Sequence, residues 1–108
     1  MLVDVGATPD TGAVIARLRE AAEHLRGDVS AVDVRTAHER MDDAERALGR
    51  LVHDPWAPSV LPLRRAREVL SSHLLAAAAC ERADVAPTVT ARVLRRGAES
   101  ARHVLAGR

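Results

Sequence analysis

The stretch 34–51, VRTAHERMDDAERALGRL, decides the fold, because its apolar residues Val34, Ala37, Met41, Ala44, Leu48 and Leu51 step by 3, 4, 3, 4 and 3. An α-helix turns once in about 3.6 residues, so these six side chains line one face. The seam is heptad-like, the pattern of a helix that packs lengthwise on other helices. Opposite it, Arg35, Glu39, Asp42, Asp43, Arg46 and Arg50 form a solvated face, with Glu39 and Asp43 set against Arg46 and Arg50 at helical spacing. Asp54-Pro55 ends this helix, and Pro55, Pro58 and Pro62 mark the clear interruption of the chain.

Similar signals extend outward in both directions. Before the link Asp28 to Ser30, a first helix is capped by Asp10 or Thr11 and runs to about Arg26, with Val14, Leu18, Ala21, Ala22 and Leu25 inward and Gly27 as the stop. Residues 1–9 carry Gly6 and Pro9 without periodicity and read as a flexible arm, so the helical domain spans 10–108. A third helix begins near Pro58 or Pro62 and runs to about Ala83. Its apolar arc is broad, taking in Leu63, Ala66, Val69, Leu70, His73, Leu74, Ala76, Ala77 and Cys80, with Leu75 pointing away from it. The last helix starts around Pro87, a good first-turn residue, and turns Val93, Leu94, Gly97, Ala101, Val104 and Leu105 inward, Gly97 marking a close helix approach. No strand pattern competes. Four helices with short links predict an all-α, antiparallel four-helix bundle in up-down-up-down order, and pairing of helical hairpins from two chains is the alternative closure.

Composition bounds the rest. A chain of 108 residues matches one domain. Its 21 Ala, 13 Val and 12 Leu, with no Phe or Tyr and Trp56 as the sole aromatic, predict a core of small side chains that gains from self-association. All 16 basic residues are Arg, with no Lys, Asn or Gln, which reads as GC-rich, bacterial coding bias rather than function. Cys80 is alone and MLVDVGATPD has no secretory-signal character, so a reducing cytoplasm is expected. The longest apolar run, Leu74 to Cys80, stops at Glu81, far short of the roughly 20 residues that cross a bilayer.

Charge is the clearest long-range feature. Residues 1–57 hold seven Arg against eleven acids, a balance of −4, and residues 58–108 hold nine Arg against four acids, a balance of +5. Arg92, Arg95, Arg96 and Arg102, with His103, cover the outer face of the last helix. The plainest expectation is balance within the chain against the acidic second helix. The next is attraction between unlike halves of two chains, and then binding of nucleic-acid phosphate. Against the last stand a net charge of only +1, the lack of stacking aromatics, and a last helix poor in the Asn, Gln and Ser of a recognition helix.

His73 and Cys80, two turns apart, are the weak metal candidates, but no spacing supplies the three or four ligands a metal site takes, and no cofactor is expected. Glu20 with His24, and Glu99 with His103, are spaced i, i+4 and read as surface pairs. No Gly-rich phosphate loop, nucleophile elbow or convergent acid and base is present, and Asp42, Asp43 and Glu45 lie largely on the solvated side, so catalytic residues are not assigned. Trp56 is expected to plug one end of the bundle, or else to anchor a partner protein together with Val60 and Leu61. The triplet Trp56-Ala57-Pro58 is superficially similar to the W-x-G turn of small secreted hairpins, but it lacks the Gly and a break at Gly27 divides the first arm, so no function is carried over.

The sequence therefore predicts a module for protein–protein association, an adaptor or regulator acting as a homodimer or on a larger partner. Its candidate contact residues are Trp56, Leu61, Leu75, Arg92, Arg95, Arg96 and Arg102. The alternatives are a nucleic-acid-binding transcriptional regulator using the Arg-rich last helix, and a bundle that holds a metal or small ligand.

Overall fold

The computed structural model describes residues 11–56 and 60–107, so the arm 1–9, Asp10 and Pro58 lie outside the described residues. Every regular element among them is helical: α1 (Thr11–His24), α2 (Ala31–Val52), α3 (Val60–Arg82) and α4 (Pro87–Gly107). α1 ends two residues sooner than its pattern predicts, and the other boundaries fall within two residues of expectation except for the start of α3, which lies between the two prolines proposed for it.

Local chemistry explains these limits. Ser30 and Asp33 form a capping box: the Asp33 N–H donates to Ser30 Oγ at 3.2 Å and the Ser30 N–H to Asp33 Oδ2 at 3.0 Å. That satisfies donors orphaned at the helix start, and the same bonds from Ser30 hold the Asp33 carboxyl below the usual carboxylate range. α3 closes with a Schellman motif, in which the Val85 N–H reaches the Cys80 carbonyl at 3.3 Å and the Asp84 N–H reaches that of Glu81 at 3.1 Å. The motif needs a left-handed residue, and here it is Asp84 with φ of 59°. Gly27 serves the same need after α1 with φ of 70°. A β-carbon is strained in this region, and an Asp tolerates it only partly. Asp84→Gly is therefore expected to stabilise the fold by about 0.5–1 kcal/mol in urea denaturation; a loss of stability would show that the carboxylate contributes more than the backbone strain costs.

α1 packs on α2 and α4, α3 packs on α2 and α4, and α2 also meets α4. α1 and α3 do not meet. Ten of the 22 buried apolar residues are Ala, so the helices close at short range around few large side chains, chiefly Leu18, Met41, Leu48, Leu70 and Leu94. All six seam residues of α2 are buried, as are the five expected on α1. On α3 the arc is narrower than its composition implies: Ala76 is exposed, and Val69, His73 and Cys80 are half-buried. Gly97 is the point of closest approach, where an added Cβ would stand 2.5 Å from the Cβ of His73.

Candidate functional site

Two regions of the surface combine groups that a self-sufficient bundle does not use. The first begins at the α2–α3 junction. The Asp54 carboxylate accepts the Trp56 N–H at 2.9 Å, a side-chain turn that fixes the backbone there. Trp56 itself is 89 % exposed, so the expectation that it plugs the bundle end is overturned. The neighbouring apolar residues Leu51 and Leu63 are buried without it. Leu61 is 58 % exposed and Leu75, fourteen residues along the same helix, is 72 % exposed. At 1.5 Å rise per residue they stand about 21 Å apart, so they are separate ends of one face rather than a single patch.

The arginines of α4 carry the second surprise. Arg92 and Arg96 are exposed, and Arg95 and Arg102 are half-buried. Among the described residues none of the four lies within 4.0 Å of a carboxylate, so none forms an ion pair with α2. Most acids of α2 are engaged elsewhere. Asp43 holds Arg46 at 2.9 Å, His38 lies 3.8 Å from Asp42, and Glu45 faces α3. Glu20 reaches Arg40 at 3.6 Å rather than His24.

Glu45 forms the polar tie between α2 and α3, accepting from Arg67 Nε at 2.9 Å and from Ser71 Oγ at 3.1 Å. The Arg67 guanidinium lies over Gly49, where an added Cβ would meet its Cζ at 3.1 Å. Periodicity put Glu45 on the solvated side and left Arg67 unremarked, because neither the partner helix nor the room that Gly49 provides is visible in spacing. His73 is likewise occupied: its Nδ1 donates to the Val69 carbonyl at 2.9 Å, leaving the other ring nitrogen as the one without a bond. Cys80 is half-buried. No group of three or more His, Cys, Asp or Glu side chains that could hold a metal ion occurs among the described residues.

The second region is a cleft of about 610 Å³ where the start of α2, the end of α3 and the start of α4 converge. Ala31, Val34, Val85 and Pro87 give it apolar walls, and Arg35, His38, Glu39, Glu81, Asp84 and Thr90 give it polar groups. His38 Nδ1 lies 3.6 Å from Glu81 Oε2, which links α2 to α3 at the cleft wall. None of these residues is a candidate site residue by sequence alone. One signal was present: Thr90 stands on the inward stripe of α4 with Leu94, Gly97 and Ala101, a polar residue where apolar ones belong.

No helix among the described residues is long and apolar enough to cross a membrane. In comparisons with known proteins, no family model, no curated protein and no solved structure matches the chain.

Proposed function

We propose that this protein is a helical module for protein–protein association, binding a second copy of itself or a larger partner through the outer surface of α3 and α4. The observation that carries the reading is the bare Trp56, the one aromatic of the chain, exposed on a turn whose backbone is held in place. A large apolar side chain left in water is costly, and Trp on a rigid support is the commonest anchor of protein interfaces. Leu61 and Leu75 are further exposed apolar side chains of α3, and the arginines of α4 without carboxylate partners offer charge to an acidic partner.

An antiparallel, up-down-up-down order is part of the proposal. It is supported by contacts that run in opposite chain order, His38 with Glu81 and, further along α2, Glu45 with Ser71 and Arg67. With Gly97 against His73, this order sets Leu75 level with Arg95 along the bundle. The Ala-rich core favours association for a further reason, since burying that face adds stability that small side chains supply sparingly.

Trp56 emission reports the contact directly, because no other aromatic contributes. The expected result is a dimer or partner complex by light scattering, with emission shifting to the blue on association and with Trp56→Ala weakening the complex at least tenfold. A strict monomer at every concentration, with unmoved emission and no protein co-purifying from the source lysate, defeats the reading. The unpaired arginines favour one competitor, a nucleic-acid-binding regulator. Duplex binding that falls steeply with salt, is lost in Arg95→Ala or Arg96→Ala and survives Trp56→Ala would put that function in its place.

A further inference from the structure

One wall of the cleft at the α2–α3–α4 end carries a hydroxyl without a partner in the protein. Thr90 is 2 % exposed and is the one buried polar residue among those described. Its side chain makes no hydrogen bond to the protein. No fully enclosed side-chain oxygen or nitrogen among the described residues lacks a partner, so Thr90 Oγ1 is not sealed into the core; it opens on the cleft that Thr90 lines. A hydroxyl that faces a cleft and bonds nothing in the protein gives the fold nothing that a valine of the same shape would not. The group is therefore poised for a ligand rather than for packing.

We propose that this cleft binds a small organic cation, an ammonium or guanidinium group on a short apolar stem. Three carboxylates line the cleft, Glu39, Glu81 and Asp84, against one permanent cation, Arg35, which is exposed at the rim. His38 sits 3.6 Å from Glu81 and 3.8 Å from Asp42, which lies outside the cleft. The α3 carboxyl end, at Cys80 to Asp84, favours positive charge. α4 presents its amino end, which would favour an anion, but it begins with Pro87, which has no N–H, and the Val89 N–H is already bonded to the Ala86 carbonyl at 2.9 Å. The Thr90 hydroxyl accepts an N–H from the ligand, and Ala31, Val34, Val85 and Pro87 cover its stem, within the usual size of a small-molecule site. The cleft lies away from Trp56 and Leu61, so its test and that of the association surface fail separately.

The experiment is a titration of the isotopically labelled full chain with agmatine, followed by the amide resonances of Val34, Val85 and Thr90, with glutarate and inorganic phosphate as anionic probes. The expected result is saturable agmatine binding at these amides, weakened about tenfold by Glu81→Gln and by Thr90→Val, while Thr90→Val melts no lower than the parent. Shifts that fail to saturate, saturation by glutarate or phosphate instead, or undiminished affinity in Thr90→Val each overturn the site. A lowered melting point in Thr90→Val also overturns it, since the hydroxyl would then serve the fold.

Discussion

Gly97→Ala is expected to destabilise the protein by about 3 kcal/mol and to lower its melting temperature by roughly 15 °C. Ala is ordinarily the better helix former by up to about 1 kcal/mol, so the expected sign is opposite to the propensity. The new methyl would stand 2.5 Å from His73 Cβ and 2.8 Å from its Cγ. The Cβ is fixed by the α3 backbone and cannot swing aside as a side-chain tip would. α3 and α4 must then separate, loosening the pair of helices that share the largest contact in the bundle. His73→Gly removes the opposing carbon, so the double variant should recover about 1–2 kcal/mol relative to additivity. Thermal unfolding of the four proteins gives the answer, and a Gly97→Ala variant that melts with the parent would refute the close approach.

The second large effect separates buried from exposed bulk. Leu48→Ala should cost about 3 kcal/mol, whereas Trp56→Ala, removing a much larger side chain, should change monomer stability by less than about 0.5 kcal/mol. Leu48 is fully buried on the α2 seam. Its neighbourhood is rich in Ala, whose side chain has no torsion with which to fill a cavity, so the space left by Leu48→Ala stays open. With a total stability on the order of 5–15 kcal/mol for a domain of this class, that loss should bring the transition midpoint close to ambient conditions in denaturant. Urea unfolding at a concentration low enough to suppress association compares the two variants. Equal losses would mean that Trp56 packs on the bundle after all.

The asymmetry between these variants marks how far the sequence could be read. The α2 seam and all five inward residues of α1 were legible because burial on a helix repeats with the helix turn, a local property. Gly97 was legible for a related reason, since a Gly on an apolar stripe signals a neighbour too near for a methyl. The α3 arc was read too wide, because Ala occurs on both faces of that helix and carries little information about which one is covered. Of the two expectations for Trp56, the plug fails because the size of a side chain argues for burial without saying whether the fold leaves room for it, and Trp56 stands exposed.

The candidate sites divide along the same line. Exposure of Leu61, Leu75, Arg92 and Arg96 follows from position on a helix, and the sequence by itself determined it, together with the number of helices and the identity of most of the core. Only the tertiary structure decided that the α4 arginines have no carboxylate partner among the described residues, that Glu45 binds Arg67 and Ser71, and that His38, Glu81 and Thr90 border one cleft. These groups lie on different helices, many residues apart. Their meeting depends on the rotation and axial register of one helix against another, which the many small contacts of the core set together and no single segment encodes.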